Sequence, residues 1–329
     1  MYRWWRVAII RTVLFCVINS PFLYLFIQGY HRYVLAAEKH TDLTRLVHDG
    51  ISVNWTATQQ WRKVLLRKTC KHLKNTLSEF SMAKVCVEDH HKLLMCATPK
   101  VGSSTWKTLF LVLSGRYNSS SEMGTRSDVH GNMPCYIMSD ERWDHYKDYT
   151  SFLFVRHPFS KLLSAYKDKI TPMGSQMEGF AKNTIRHILR TYRKIKSPII
   201  KNTESEYNVT FEEFAMYVAG TRDDPLSMNR HWIPQYLNCD VCSKKFDVIG
   251  KLETFTEDSI HILERVHAKT NLNFTPTTSL STNVQSSGDE YILEYFKHLN
   301  STLVKQLYEL YEMDFKLFGY KYPEYLLSS

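Results

Sequence analysis

Leu93-Leu-Met-Cys-Ala-Thr-Pro-Lys-Val-Gly-Ser-Ser-Thr-Trp-Lys107 is the stretch whose reading decides the fold. Leu93 to Ala97 is an apolar run of strand character that ends in a polar loop, and Thr105 to Leu113 has the spacing of a helix. A loop leaving a strand and entering a helix aims backbone N–H groups and the positive end of the helix dipole at one place, where an anion is stabilised. The first candidate grip is therefore Pro99, Lys100, Val101, Gly102, Ser103, Ser104, Thr105 and Trp106. Lys100 brings a mobile charge, Gly102 lets the backbone approach a phosphate, and the hydroxyls of Ser103, Ser104 and Thr105 can donate hydrogen bonds. The pattern is not G-x-x-x-x-G-K-[ST], because Lys100 precedes the only glycine, which speaks against a kinase or GTPase. Composition alone leaves open a plain serine-rich helix cap.

The same order of elements recurs in Phe154-Val-Arg-His-Pro-Phe-Ser-Lys-Leu-Leu-Ser-Ala-Tyr-Lys-Asp-Lys169. Ser151 to Val155 is a continuous apolar strand, Arg156-His157-Pro158 a turn, and Phe159 to Lys169 a helix with Leu162, Leu163 and Tyr166 inward. The second candidate grip is Arg156, His157, Pro158, Phe159 and Ser164, in which a bidentate guanidinium and a hydroxyl share one phosphate. Taken singly, Arg156 also fits a strand-end ion pair and Ser164 a helix surface. Two anion sites together suggest a doubly phosphorylated nucleotide. Trp106 and Phe159 fit either an adenine wall or the core.

Outward from these units, Gln59 to Phe80 has helical apolar spacing, and Val85 to Val87 forms a strand before the turn Asp89-His90-His91. Phe246 to Lys251 is another buried strand, followed by a helix from Glu257 to His267. Thr210-Phe-Glu-Glu213 is a capping box opening a helix to Val218, and Thr302 to Phe318 is the clearest helix of the C-terminal third. Strands alternating with helices imply an α/β fold with a parallel sheet flanked by helices. There is no internal repeat.

A chain of 329 residues with 43% hydrophobic composition can bury an ordinary core, so disorder is not the default expectation. A formal charge of +9 favours an anionic partner without choosing among nucleic acid, membrane surface, nucleotide and acidic glycan. Arg3, Arg6 and Arg11 precede an apolar run and no small-residue cleavage site follows it. This predicts a cytoplasmic tail (1–11), an overlapping signal anchor (7–27), a short stem (28–55) and a lumenal body (56–329) in single-pass type II orientation. The N-x-[ST] acceptors Asn54, Asn118, Asn208, Asn273 and Asn300 all lie beyond the anchor. So do six of the seven cysteines, an even number suited to an oxidising compartment, with their pairing open. Cys239-x-x-Cys242 lacks a second pair at zinc spacing, so no metal is expected.

The segment Cys96 to Lys107 resembles the 5′-phosphosulfate loop of Golgi carbohydrate sulfotransferases, and Phe154 to Lys169 is similar to their 3′-phosphate motif, including the eight-residue spacing from Arg156 to Ser164. His231-Trp-Ile-Pro-Gln235, Cys239-x-x-Cys242, Phe246 to Glu253 and Phe315 to Tyr320 are most similar in content and order to the chondroitin/dermatan 4-O type. The resemblance spans about Leu93 to Tyr320. It implies a P-loop-like sulfotransferase fold, 3′-phosphoadenosine 5′-phosphosulfate as donor, an acidic glycan or proteoglycan as acceptor rather than nucleic acid, and a Golgi membrane location. His157 stands where the family often has an acid, and Ser160-Lys161 replaces a Glu-Arg pair; both departures bear on the acceptor more than on the donor. The basic segment 171–208, with Arg186, Arg190, Arg193, Lys194 and Lys196, matches nothing in the pattern and is a candidate for shaping the acceptor site. Lys100 and His231 are the catalytic candidates, Lys100 for the leaving phosphate and His231 as base, with His157, Glu253 and His130 as alternative bases. The competing function classes are a nucleotide-dependent phosphotransferase and a noncatalytic glycan-binding protein.

Overall fold

Strand β1 (Lys84–Glu88) and strand β2 (Leu93–Cys96) are joined by only the four residues 89–92, a connection that forces them antiparallel. The Glu88 carboxylate organises this turn by accepting the His90 and His91 backbone N–H groups at 3.1 and 2.9 Å. The computed structural model describes residues 54–71, 83–119, 122–123, 126–133, 135–171, 179–196, 208–268, 289–322 and 324–326. By its contacts the chain divides between Trp61 and Arg62, and the architecture described below is that of the unit from Arg62 onward.

Helix α1 (Trp55–Cys70) precedes β1, and β2 is followed by α2 (Ser103–Leu113), α3 (Arg126–Asn132), β3 (Cys135–Ile137), α4 (Asp140–His145) and β4 (Thr150–Val155). Then come α5 (Pro158–Lys169), α6 (Gly179–Tyr192), α7 (Phe211–Ala219), α8 (Gln235–Cys239), β5 (Val248–Lys251), α9 (Phe255–Arg265), α10 (Asp289–Phe296) and α11 (Ser301–Phe318). The sheet order is β3-β1-β2-β4-β5. β2, β4 and β5 are parallel, whereas β1 and β3 are antiparallel additions. The sheet is thus mixed, which corrects the expectation of a parallel one.

β2 and the Phe152–Val155 part of β4 are apolar and buried, as suits strands covered on both faces. Phe152 and Phe154 pack against Trp106 of α2, and Phe154 also against Phe255 of α9. Leu153 and Val155 belong instead to a cluster with Leu66, Phe246, Leu317 and Phe318. A second core joins α5, α6, α7, α10 and α11 through residues such as Leu163, Ile188, Phe214, Phe296 and Leu307. The capping box at Thr210 forms as its sequence demands.

All six cysteines beyond the apolar N-terminal run pair, as Cys70–Cys242, Cys86–Cys135 and Cys96–Cys239. Cys239 and Cys242 therefore go to different partners, fastening the α8 segment to both β2 and α1. The expected helix 59–80 ends at Cys70, and residues 72–82 lie outside the described ones, as does the apolar segment 7–27. No helix of the described residues is long and apolar enough to cross a membrane. Asn54, Asn118, Asn208 and Asn300 are exposed, while Asn273 lies outside the described residues.

Cys96–Cys239 spans 143 residues and sits where β2 enters the loop that follows it. Its removal as Cys96→Ser with Cys239→Ser should cost about 2–5 kcal/mol. Thermal unfolding of the double variant would show this as a lowered Tm; an unchanged Tm would contradict it.

Candidate active site

The two grips are neighbours because β2 and β4 run parallel and end at one edge of the sheet, the edge where open α/β sheets place ligands. Their contact is direct: Nη1 of Arg156 donates to the Lys100 carbonyl at 3.3 Å. In the first grip, Lys100 and Gly102 both adopt left-handed backbone, with φ of 70° and 85°. Gly102 is the N-cap of α2, and a Cβ there would stand 2.5 Å from Cε2 of Phe255. The first helical bond runs from Trp106 N–H to the Gly102 carbonyl, so the N–H groups of Ser103, Ser104 and Thr105 precede the helical ladder. His130 braces this turn, its ring nitrogens lying 3.0 Å from Ser104 Oγ and 2.9 Å from Lys107 Nζ.

In the second grip, Arg156 is 1% exposed. Its backbone is clamped by Gln235, which accepts the Arg156 N–H at 2.8 Å and donates to the Arg156 carbonyl at 2.7 Å. Burial pulls the guanidinium down to about 10 while nearby Glu253 opposes the shift, so it stays charged at neutral pH. Ser164 is half-buried on α5. Lys100 Nζ lies 3.1 Å from Asp168 Oδ2, and Lys169 Nζ 3.6 Å from the same oxygen.

His231 joins this group. Its ring stacks on Phe180 at 5.3 Å, and Nδ1 is 2.7 Å from Asn229 Oδ1. Because an amide oxygen only accepts, Nδ1 carries the proton and Nε2 keeps its lone pair. Burial, reinforced by Lys169 and Lys100, lowers His231 to about 3, so the ring is neutral. The fully buried Lys161 holds the segment in place by donating to the carbonyls of His231 (3.2 Å) and Ile233 (2.8 Å). The Asp314 carboxylate accepts the N–H groups of Gln235 and Tyr236, at the start of α8.

The other candidates fall elsewhere. Trp106 and Phe159 are buried in aromatic clusters, at 1% and 0% exposure, and Val101 and Pro158 are buried too. These residues carry the grips from beneath. The His157 ring packs on Phe159, Phe315 and Tyr320, and burial lowers it to about 3. Glu253 has both oxygens engaged, by the His157 N–H and the Tyr320 hydroxyl. Sequence reasoning noted Lys161 only as a departure from the family pattern, without a role, and missed Asp168, Lys169 and Arg230. The i, i+3, i+7 spacing of Lys161, Ser164 and Asp168 puts them on one face of α5 and could have found two of them.

Residues 83–321 match the model of the Sulfotransferase family, and the chain belongs to that family. It is 32% identical to mouse Carbohydrate sulfotransferase 11 over 287 residues, which is 83% of this chain and 79% of the relative. It is 30% identical both to mouse Carbohydrate sulfotransferase 8, with 84% and 66% covered, and to Xenopus laevis Carbohydrate sulfotransferase 10, with 80% and 77% covered. No solved structure matches significantly. With its fold and site, this makes the chain a carbohydrate sulfotransferase dependent on 3′-phosphoadenosine 5′-phosphosulfate.

Two outcomes follow from the geometry. Gly102→Ala must overcome both the left-handed φ and the clash with Phe255, so it should abolish donor-induced thermal stabilisation; retention of that stabilisation would contradict the tight packing of the loop. His157 and His231 have folded pKa values below the unfolded 6.5, so between about 6.5 and about 3 the unfolded chain binds more protons. Tm should therefore fall as pH drops from 7 to 5, and less steeply in His157→Gln.

Proposed function

We propose that the chain is a Golgi-resident, single-pass type II membrane enzyme that sulfates the 4-hydroxyl of N-acetylgalactosamine in chondroitin- or dermatan-type chains. The observation that carries the reading is the convergence of both grips and His231 on one cation-lined edge of the sheet. The apolar run at 7–27, the exposed sequons and the three disulfides support a lumenal body beginning near residue 56. The acceptor assignment rests on the resemblance of the 231–253 and 315–320 segments to the 4-O type.

In this reading the amides and hydroxyls of Ser103, Ser104 and Thr105 hold the donor's 5′-phosphosulfate with Lys100, while Arg156 and Ser164 fix its 3′-phosphate. Sulfuryl transfer breaks the bond to the 5′-phosphate oxygen and forms one to the acceptor oxygen, with charge growing on the departing phosphate. Lys100 and the loop amides offset that charge. The hydroxyl proton passes to Nε2 of His231, whose Nδ1–H is fixed by Asn229. An anionic donor beside Lys100 and Lys169 offsets the cations that depress His231 and so raises its basicity.

Adenosine 3′,5′-bisphosphate should raise the Tm of the protein well above the effect of ATP with magnesium; the reverse ranking would sink the donor assignment. Lys100→Ala should lower kcat by roughly 10²–10³-fold at near-native Tm. Arg156→Lys, which loses the bidentate fork, should mainly raise the donor KM. Disaccharide analysis after sulfation of desulfated chondroitin, dermatan and heparan acceptors tests the 4-O assignment, and sulfate appearing elsewhere would reject it. Peptide N-glycosidase should lower the apparent mass of protein made in a secretory host.

A further inference from the structure

Arg230, beside His231, has no assigned partner in the chemistry above. Its Nε donates to Asn238 Oδ1 at 3.3 Å, and Asn238 Nδ2 donates back to the Arg230 carbonyl at 3.2 Å. Asn238 is 1% exposed, so Nε of the guanidinium is tied to a buried partner. The Asn238 carbonyl lies 3.7 Å from Cys96 Sγ, at the strand end from which the phosphate loop departs. Arg230 also acts on the charge of Lys161, which itself grips the His231 carbonyl. It thus stands between the base and the root of the donor loop.

Its environment is unusual for an arginine. Nη2 is buried and has no hydrogen-bond partner among the described residues, and no carboxylate among them pairs with the side chain. Burial depresses its pKa with no acid opposing the effect. A partly buried guanidinium whose inner nitrogen has no partner and no counter-charge among the described residues is costly, and an anion arriving from outside relieves that cost. Bidentate recognition of oxyanions is what the guanidinium fork does best.

We propose that Arg230 is a substrate-binding residue that receives an oxyanion of a substrate next to His231, either the sulfuryl oxygens of the donor or a carboxylate or sulfate of the acceptor glycan. The inference rests on the proposed sulfotransfer reading. The test uses the full-length protein and its Arg230→Gln variant, with ligand affinity read by thermal shift. The probes are 3′-phosphoadenosine 5′-phosphosulfate, adenosine 3′,5′-bisphosphate, a chondroitin fragment and the same fragment with its carboxyls reduced. Without ligand, Arg230→Gln should have a Tm equal to or above the parent, since it removes an uncompensated charge. Affinity should fall about tenfold for the ligand that carries the oxyanion. A loss for chondroitin but not for its reduced form assigns the acceptor; a loss for the phosphosulfate but not the bisphosphate assigns the donor. Arg230→Lys should recover part of either loss. Unchanged affinity for all four probes would overturn the proposal, whatever the Tm. A parent protein that transfers no sulfate would sink the proposed function instead, while the affinities still decide on Arg230.

Discussion

The site depends on how one charge is taken out of water. Arg156 ends a buried strand at 1% exposure, and a cation there persists only if its surroundings are fixed by hydrogen bonds. Gln235 ties its backbone through both amide groups, the Lys100 carbonyl accepts from its guanidinium, and Glu253 supplies opposing charge. Each of these partners belongs to a different segment. Holding Arg156 therefore also sets the phosphate loop, α8 and the end of β5 relative to one another.

The parts of this arrangement that are local in the chain were legible in the sequence. Both strand–loop–helix units, the capping box at Thr210 and the Arg156 to Ser164 spacing depend on residues within a turn or two of each other. The antiparallel strand β3 was missed because its three residues, Cys135 to Ile137, are too few to show a period. Disulfide partners separated by as many as 172 residues carry no local signal. The roles of Lys161 and Asp168 were hidden because their partners, the His231 carbonyl and Lys100, come from distant loops. Trp106 and Phe159 followed the loops in sequence but turned inward, as large aromatics on a helix beneath a sheet generally do.

The departures from the family pattern gain a physical meaning here. His157 sits among aromatic rings and is kept neutral by burial, so it carries no charge toward the donor. Lys161 lies at the back of the site and spends its hydrogen bonds on the carbonyls of His231 and Ile233. A compact ammonium satisfies two carbonyls at close range where a guanidinium fork would need more room. The substitution at Lys161 therefore acts on the segment that presents the base, while the donor grips stand on backbone geometry and Arg156.

Among the described residues the charges around the sheet edge lean to the positive side. Lys100, Arg156, Lys161, Lys169 and Arg230 face Asp168, Glu253 and Asp314, and two of those acids are already committed to backbone groups: Asp314 to Gln235 and Tyr236, Glu253 to His157. Such an excess costs folding free energy as long as no anion is present. Anions that bind the folded chain alone relieve it, and stability and ligand binding become linked. The Lys100 to Asp168 pair fits this logic, because an ion pair at 3.1 Å holds the lysine in place and can exchange its carboxylate for a phosphate without moving the backbone. Lys100 has Asp168 beside it and Arg156 has Glu253, whereas Arg230 has no carboxylate partner among the described residues and is where an incoming anion has most to offset.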